Sequence, residues 1–334
     1  MQQVSKLKEW LELLIVNQEI TIQGSWSLEP LQGDASCRRY FRLLNAQSNM
    51  IVVASPTARI DNDIFISRAR QWRSAGVYVP QIFAVDSAQG FMLIEDFGSV
   101  HLFDLLHKSA DNGLYLQAIS ELIKIQQIVS DKLPLFDREF LLREMTLFDT
   151  WLVQYQLQQT SPNCLNQVYR VLIENSLQQP QVTMHRDYHS RNLLLVAGDL
   201  AVIDFQDAVQ GPLAYDLASL LRDCYWQLSD QQIDDLIDAY LQQLESAAVA
   251  PLHVEKQQFV RWFDLIGMQR HLKVLGLFIR LGVEEGKSSY LHDLPRVFAY
   301  VLKIAGRYPE FSEFYQWLRS DIQPALQLQP WYLK

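Results

Sequence analysis

The side chains best suited to chemistry lie in residues 182–207, which read V-T-M-H-R-D-Y-H-S-R-N-L-L-L-V-A-G-D-L-A-V-I-D-F-Q-D. The pattern predicts a polar loop followed by a strand–turn–strand hairpin. Asp187 and Asn192 precede the first strand and Asp204 follows the second, so the hairpin should carry all three at its open end. One carboxylate there could orient an attacking hydroxyl and accept its proton, while a carboxylate and an amide oxygen could hold Mg²⁺ against nucleotide phosphates. These residue types therefore point to phosphoryl transfer.

The same loop has the H-R-D-x-x-x-x-N spacing of the protein-kinase catalytic loop, and D-F follows twelve residues later. An isolated H-x-D is common by chance, whereas four fixed positions in a hairpin context are specific. The alternative is an ordinary hairpin with solvated acids at its mouth. His185, which opens the loop, is predicted to be structural, because such a histidine usually packs against the loop backbone.

Composition and charge exclude several classes of protein. With 334 residues, 49% of them hydrophobic, the chain can bury a large core and should form one large domain or two lobes. A net charge of -9 argues against general affinity for nucleic acid or anionic membranes. Three cysteines without paired spacing suggest reduced thiols. With no signal-peptide pattern and no long apolar run, the sequence predicts a cytoplasmic protein without a nucleic-acid, membrane or obligate protein partner.

The hydrophobic periodicity changes at the E-D-F-G segment, residues 95–98. Before it, the pattern predicts an amphipathic helix over 4–19, docked on the body, and then mostly strands with one helix over 61–74. After it, apart from the hairpin, nearly everything reads as helix. The sequence therefore predicts an α+β chain, with a small β-rich nucleotide-binding lobe over 1–97, a hinge at 95–98, and a mostly helical lobe over 98–334 that includes the hairpin. The predicted helices of the second lobe cover 113–130, 137–158, 164–178, 213–226, 230–248, 254–281, 291–305 and 309–320.

At this level of detail the residues resemble the aminoglycoside phosphotransferase-like, or choline kinase-like, branch of the protein-kinase fold. The pattern H-x-D-x-H-x-x-N is met by His185, Asp187, His189 and Asn192. The metal loop reads I-D-F-Q-D-A at 203–208, without the glycine of protein kinases. The resemblance implies a bilobal protein-kinase-like fold.

Three further segments are similar to the bacterial anomeric kinases of N-acetylmuramate and N-acetylglucosamine. They are G-D-A-S-x-R-R-Y-F-R at 33–42, G-P-L-A-Y-D-L-A-S-L-L-R-D-C-Y at 211–225 and Q-R-H-L-K-V-L-G at 269–276. Since they fall in both lobes, the resemblance spans most of the chain.

The resemblance implies roles for individual residues. Asp187 would be the catalytic base toward the sugar hydroxyl, and Asn192 and Asp204 would bind Mg²⁺. The hinge backbone from Glu95 to Phe97 would contact the adenine of ATP. A loop over the phosphates would be formed by Gly33, Asp34, Ala35 and Ser36. The candidate sugar contacts are His189, Asp207, Arg222, Asp223, Gln269 and Arg270.

Several of these candidates have a structural alternative. Asp207 could cap the turn that follows it. Arg222 and Asp223 are adjacent on a predicted helix, so they cannot face the same way and could pair separately with neighbours. The run from 269 to 273 lies in a long helix, where solvated polar positions are the usual explanation. Asp216, at the start of a helix, is predicted to be a cap or a loop anchor.

One departure from the protein-kinase pattern concerns the cation that holds the phosphates. The strand at 50–56 has no lysine, and the helix at 61–74 has no glutamate to pair with one. The absence of both the lysine and the glutamate is self-consistent, because either one alone would be a buried charge without its partner, which is costly. Another cation is then expected to face the phosphates, and the candidates are Arg38, Arg42 and Arg191.

The sequence therefore predicts a kinase that uses ATP and Mg²⁺ to phosphorylate a small-molecule sugar, with the anomeric hydroxyl of N-acetylmuramate or N-acetylglucosamine as the first hypothesis. An aminoglycoside kinase or another small-molecule kinase is the alternative within the same class. A catalytically inactive kinase-like binding module is the alternative from another class, motivated by the missing lysine. The metal-ligand types at Asn192 and Asp204 argue against that last alternative, because a scaffold has no need of them.

Overall fold

The computed structural model describes residues 2–31, 38–45, 49–58, 62–106, 112–247 and 254–332. The strands are β1 (Ser27–Leu31), β2 (Arg39–Leu44), β3 (Met50–Ala54), β4 (Ile82–Asp86), β5 (Phe91–Glu95), β6 (Gln181–Met184), β7 (Leu193–Val196), β8 (Asp199–Val202) and β9 (Val209–Pro212). The helices are α1 (Gln2–Val16), α2 (Asn62–Ser74), α3 (Leu102–Leu106), α4 (Gly113–Gln126), α5 (Arg138–Leu147), α6 (Cys164–Gln178), α7 (Tyr215–Leu221), α8 (Asp230–Ser246), α9 (Lys256–Glu284), α10 (Leu294–Arg307), α11 (Ser312–Trp317) and α12 (Gln323–Gln327). These elements confirm the α+β class.

The chain divides into two compact units. The smaller comprises Met1–Leu105 and Arg191–Gln206, and the larger comprises Leu106–Ser190 and Asp207–Lys334. The boundary near residue 105 lies a few residues beyond the predicted hinge. The assignment of residues 191–206 differs more, because they belong to the smaller unit here and to the helical lobe in the division predicted from the sequence.

The smaller unit is built on a five-stranded antiparallel sheet of order β1-β2-β3-β5-β4. Its central strand β3 reads M-I-V-V-A and pairs with β2 and β5, and its last three residues are buried. Helix α1 is part of the same core, where Leu7, Leu11 and Leu14 are buried with residues of the sheet. Their spacing forms one apolar stripe on a helix. The prediction that this helix docks on the body is confirmed.

The predicted hairpin forms from β7 and β8, in the antiparallel register Leu193↔Val202 to Val196↔Asp199. Its contacts explain why it belongs to the smaller unit. Leu194 and Ala201 are buried in a cluster with Phe97, and the backbone N–H of Val202 donates to the carbonyl of Tyr78 at 2.8 Å. These partners are about a hundred residues away along the chain, so their contact could not be read from the order of the elements.

The larger unit is organised around α9, which contacts α5, α6, α7 and α10. A helix that is packed on several sides becomes buried around most of its circumference, and α9 is buried from Trp262 to Gly276. The predicted helices are all recovered in part or in full, whereas the prediction lacks α3, α12, β6 and β9, because elements of four or five residues carry too little periodicity to recognise. None of the described helices is long and apolar enough to cross a membrane.

A two-stranded sheet of β6 and β9 positions the loop of interest in the larger unit. The register pairs Gln181 with Pro212 and Met184 with Val209. Strand β6 ends one residue before His185, and β9 ends shortly before α7 begins at Tyr215. The sheet thus brings the start of the loop close to the first turn of α7.

Candidate active site

Asp216, in the first turn of α7, anchors the start of the loop. Its Oδ2 accepts the backbone N–H of His185 at 2.6 Å, and its Oδ1 accepts that of Arg186 at 3.0 Å. Arg186 has a φ of +79°, a left-handed conformation that a non-glycine residue keeps only when its surroundings hold it. Burial raises the pKa of the Asp216 carboxyl to about 7, against the lowering effect of those two hydrogen bonds. The predicted loop-anchor role of Asp216 is confirmed.

His185 is fully buried at the head of the loop. Its Nδ1 accepts the backbone N–H of Asp187 at 3.3 Å, and its ring meets that of Tyr188 edge to face, 5.7 Å between centroids. The backbone N–H of His189 donates to the Asp187 carbonyl at 3.1 Å. His185 therefore packs and bonds the loop backbone, as predicted, and Asp187 projects from a backbone that is held on both sides.

Asp187 remains a carboxylate in spite of its burial. Burial raises its pKa, but nearby positive charge outweighs that effect and sets the pKa at about 2. The residues that lower it are, in order of effect, Lys273, His189, Arg270 and Arg186. At neutral pH the group can therefore accept a hydrogen bond from a hydroxyl.

Glu144 of α5 binds three donors from other elements. Its Oε1 accepts Arg186 Nη2 at 3.0 Å and Lys273 Nζ at 3.1 Å, and its Oε2 accepts Gln269 Nε2 at 3.4 Å. Arg186 also donates through Nη1 to the carbonyl of Asp207, at 3.2 Å, whose own carboxylate is exposed. Sequence reasoning missed Glu144, whose position has no motif signal, and gave no role to Lys273, although Lys273 is the lysine of Q-R-H-L-K-V-L-G. Arg186 could have been found as the second letter of H-R-D.

The polar run on α9 is not solvated, which corrects the expectation from helical periodicity. Gln269, Arg270, His271 and Lys273 are at most 8% exposed. Arg270 Nη1 lies 3.3 Å from the Cys224 sulfur, and His271 Nε2 donates to the Arg222 carbonyl at 2.9 Å. The run is buried because other helices cover α9 on several sides, a fact of tertiary packing.

Arg222 and Asp223 pair separately with neighbours, which is one of the two alternatives predicted from the sequence. Arg222 Nη2 donates to Asp264 Oδ1. Asp223 Oδ2 accepts both the backbone N–H of Ser190, at 2.9 Å, and its hydroxyl, at 2.5 Å. Asp223 thus fixes the end of the loop in the way that Asp216 fixes its start. A sugar contact by Arg222 or Asp223 stays a prediction.

Asn192 and Asp204 flank the open end of the hairpin in the smaller unit. The backbone N–H of Ile203 donates to the Asn192 carbonyl at 3.1 Å, so the two strand ends are joined. Asp204 has a φ of +65°, and its Oδ1 accepts Gln206 Nε2 at 2.6 Å. An amide oxygen and a carboxylate are hard ligands of the kind that Mg²⁺ prefers, and the strained backbone at Asp204 is typical of a functional position. The described residues contain no cluster of three or more His, Cys, Asp or Glu that could hold a different metal.

The three candidate cations have different surroundings within the smaller unit. Arg42 makes a two-point ion pair with Asp96, Nε to Oδ2 at 2.5 Å and Nη2 to Oδ1 at 3.0 Å, at the predicted hinge. Arg191 lies over the ring of Phe103, 5.0 Å from its centroid. Arg38 is buried beside the start of α2.

Arg38 precedes β2, and its Nε donates to Asn62 Oδ1 at 3.4 Å. The same oxygen accepts the hydroxyl of Ser55, at the end of β3, at 2.8 Å. The Arg38 guanidinium also lies 5.4 Å from the centroid of the Phe65 ring. A buried arginine is therefore bound to the first residue of α2, the helix in which the sequence has no glutamate.

The hinge candidates lie at the end of β5. The backbone N–H groups of Glu95 and Asp96 donate to the carbonyls of Gln81 and Asn49, so both N–H groups are occupied. Phe97 is buried, and its ring meets that of Tyr78 edge to face at 4.9 Å. The candidate phosphate loop, Gly33, Asp34, Ala35 and Ser36, lies outside the described residues.

A model of the phosphotransferase enzyme family matches residues 27–252 of this chain. The N-acetylmuramate/N-acetylglucosamine kinase of Pseudomonas putida is 38% identical over 292 residues, which cover 86% of this chain and 86% of that enzyme. The enzyme of the same name from Pseudomonas aeruginosa is 34% identical, over 96% of this chain and 97% of its own. A solved structure of a choline/ethanolamine kinase family protein from Mesorhizobium loti, 16% identical, superposes with a TM-score of 0.62 over 97% of this chain and 100% of that one. The last similarity concerns the fold.

Proposed function

The chain belongs to the phosphotransferase enzyme family, as predicted, and from that premise we propose that it transfers the γ-phosphoryl group of ATP to the anomeric hydroxyl of N-acetylmuramate or N-acetylglucosamine. The observation that carries the proposal is the anchored loop that presents an ionised Asp187. The shared name of its two relatives supports the choice of sugar. Since ATP is the donor, the proposed location is the cytoplasm.

In the proposed reaction, Asp187 accepts a hydrogen bond from the anomeric hydroxyl and aims its oxygen at the γ-phosphorus. As the new P–O bond forms, the bond to the bridging oxygen of ADP breaks, and the hydroxyl proton passes to Asp187 and then to solvent. An anomeric hydroxyl is more acidic than an ordinary alcohol, so a carboxylate is an adequate base for it. Asp216 and His185 contribute by fixing the backbone on which Asp187 is carried.

Asn192 and Asp204 are the residues that would hold Mg²⁺. When bound, the ion neutralises charge on the nucleotide phosphates. The hydrogen bond between Ile203 and Asn192 keeps both ligands at one end of the hairpin, and the one from Gln206 orients the Asp204 carboxylate.

For the cation that replaces the absent strand lysine, the proposed residue is Arg38. It is buried and held by Asn62, whereas Arg42 is engaged by a carboxylate on two atoms. Arg191, within the loop that precedes the hairpin, is the second choice. The loop at 33–36 and the hinge at Glu95 to Phe97 complete the proposed nucleotide site.

Arg38→Ala is expected to lower kcat/KM for ATP about 10- to 100-fold, because a charge-assisted contact to phosphate is lost. The sugar KM should change little. Arg39→Ala is the matched control, since Arg39 is the adjacent arginine and is exposed. Steady-state kinetics with ATP varied at saturating sugar measure the effect. Equal kinetics in the two variants would exclude Arg38 and direct attention to Arg191.

An aminoglycoside is disfavoured as the acceptor by the charges around Asp187. The pKa of Asp187 is lowered by three nearby cations, Lys273, Arg270 and Arg186. These positive charges would repel a polycationic acceptor. An inactive binding module is disfavoured because Asp187 keeps the ionisation and anchoring of a base, and because Asn192 and Asp204 provide Mg²⁺ ligands.

The test is ADP release with ATP and Mg²⁺ against N-acetylmuramate, N-acetylglucosamine, glucose, choline and kanamycin. We expect turnover of the two N-acetylated sugars and none without Mg²⁺. An anomeric phosphate has no free reducing end, so the product should lose its reducing-sugar reaction and show a new phosphorus NMR signal. Phosphorylation of kanamycin alone, or a product that keeps its reducing end, would contradict the proposal.

A further inference from the structure

Arg270 is a buried cation that makes no hydrogen bond to a carboxylate of the described residues. It is 4% exposed. Within the described ranges its hydrogen bonding is limited to the Cys224 sulfur, at 3.3 Å, a weak acceptor. Buried charges in proteins are normally paired, because removing an unpaired charge from water is costly. A guanidinium with five donors in this setting therefore points to an anionic ligand.

Lys273 lies three residues further along α9, so the two cations share a face of the helix. Lys273 Nζ pairs with Glu144 Oε1 at 3.1 Å, and the same carboxylate oxygen pairs with Arg186. The Glu144 carboxylate is therefore shared by Arg186 and Lys273, and its ion pairs among the described residues do not include Arg270.

The balance of charge in this part of the larger unit is positive. The cations are Arg186, Arg270 and Lys273, and the carboxylates are Glu144 and Asp187. Three positive charges stand against two negative ones among these arginines, lysines and carboxylates, and Asp223, a further buried carboxylate that acts with Arg270 on Cys224, is already bound to Ser190 and Tyr225. Asp216, with a pKa of about 7, is only partly charged at neutral pH and is already bound to two backbone N–H groups. An acceptor that brings one negative charge would complete the balance.

Two uncharged polar atoms of the same region are also available for a hydrogen bond to a ligand. Tyr215 Oη and Gln269 Oε1 are buried and, among the described residues, have no hydrogen-bond partner. Tyr215 interacts electrostatically with Asp187, Lys273 and Arg270. Burial raises its pKa to about 12, so it keeps its proton and can donate. The neighbourhood thus offers an anion site beside one further donor and one acceptor.

Building on the proposed function, we propose that Arg270, assisted by Lys273, binds the carboxylate of the lactyl group of N-acetylmuramate and makes the enzyme prefer this acid to neutral sugars. N-acetylglucosamine has the same ring and acetamido group and lacks the lactyl acid. It would still be phosphorylated through Asp187, but without the ion pair. The preference between the two sugars is then set by residues on α9 that take no part in proton transfer.

The test compares three acceptors that share one ring: N-acetylmuramate, its neutral carboxamide, and N-acetylglucosamine. The carboxamide keeps the size of the acid and removes its charge. For the wild type, kcat/KM should be about 10- to 100-fold higher for the acid than for the carboxamide, as expected for a buried charge-assisted contact. Calorimetric titration of both compounds in the presence of ADP measures the same preference without turnover.

Arg270→Met is expected to abolish that preference, measured as the ratio of kcat/KM for the acid to kcat/KM for N-acetylglucosamine, a ratio in which any effect of Arg270 on Asp187 that is common to both sugars cancels. Arg270→Lys should restore part of it, because it returns the charge without the two-point geometry. Lys273→Met should reduce it by a smaller factor. Lys256→Met is the matched control, since Lys256 is a partly exposed lysine of the same helix that pairs with Asp234 and Asp238, and it should leave the preference intact.

Thermal unfolding gives a readout that is independent of activity. If Arg270 is kept for a ligand, the ligand-free protein should tolerate Arg270→Met with little change in Tm, because the hydrogen bond lost is one to the weak acceptor Cys224. N-acetylmuramate should then raise the Tm of the wild type and not that of Arg270→Met. A large fall in the Tm of the ligand-free variant would show a structural arginine and overturn the inference.

The remaining outcomes separate this inference from the proposed function. An unchanged preference in Arg270→Met, with both sugars still phosphorylated, would overturn the inference and leave the function standing. An equal fall in kcat/KM for all three acceptors would assign Arg270 to the transferred phosphate and also overturn it. Failure of the wild type to phosphorylate any of the three would refute the proposed function, and calorimetry would still decide whether the acid binds through Arg270.

Discussion

Asp187→Asn is expected to lower kcat about a thousandfold, within the range that general base catalysis usually contributes. The substitution keeps the shape of the side chain and removes its ability to take a proton. Since the pKa of Asp187 is about 2, the wild-type group is ionised at neutral pH, so the whole loss should be visible there. Single-turnover kinetics with saturating ATP and N-acetylmuramate measure the chemical step.

The control for this variant is Asp199→Asn. Asp199 is an exposed acid that begins β8 of the neighbouring hairpin, and its variant should keep nearly the full rate. Affinity of Asp187→Asn for the sugar, measured by calorimetry, should stay within a few-fold of the wild type. A variant that retains more than about a tenth of the rate would show that Asp187 is not the base.

Glu144→Gln is expected to lower the free energy of unfolding by about 3 kcal/mol, because it leaves Arg186 and Lys273 buried without their shared carboxylate. The change preserves the size and shape of the side chain, so packing should contribute little. Chemical denaturation followed by fluorescence measures the effect. Activity should fall as well, since Arg186 belongs to the loop that carries Asp187.

Two comparisons separate the charge effect from other causes. Glu310→Gln removes a carboxylate that pairs with Arg261 at 2.6 Å in a partly exposed position, and should cost less than about 1 kcal/mol. The double variant Glu144→Met with Lys273→Met removes one of the two stranded cations and should recover part of the stability lost in Glu144→Gln, since Arg186 still lacks its carboxylate. No recovery, or a loss in Glu310→Gln as large as that in Glu144→Gln, would contradict the account of a buried charge imbalance.

The phosphoryl-transfer loop could be predicted from the sequence because its parts are close together along the chain. Fewer than thirty residues contain the loop, both hairpin strands and the candidates Asp187, Asn192 and Asp204. A tight turn at Ala197 and Gly198 fixes the register of the strands. Local hydrogen bonding is therefore enough to specify the order and spacing of these residues.

The sequence by itself also determined the class of fold, the family and the structural roles of His185 and Asp216. Each of these depends on motif spacing or on the alternation between period two and period 3.6, which the chain shows directly. The docking of the first helix could be predicted for the same reason, because a single apolar stripe has to be buried.

Only the tertiary structure decided what surrounds Asp187. Glu144, Arg186 and Lys273 come from α5, the loop and α9, and no periodicity within one element reports that three elements meet. The polar run on α9 illustrates the limit, since its pattern fits a solvated face as well as a buried one. Burial depends on which helices pack around α9, and that is a property of the whole unit. The charge balance that leaves Arg270 without a carboxylate exists only once those helices are in place.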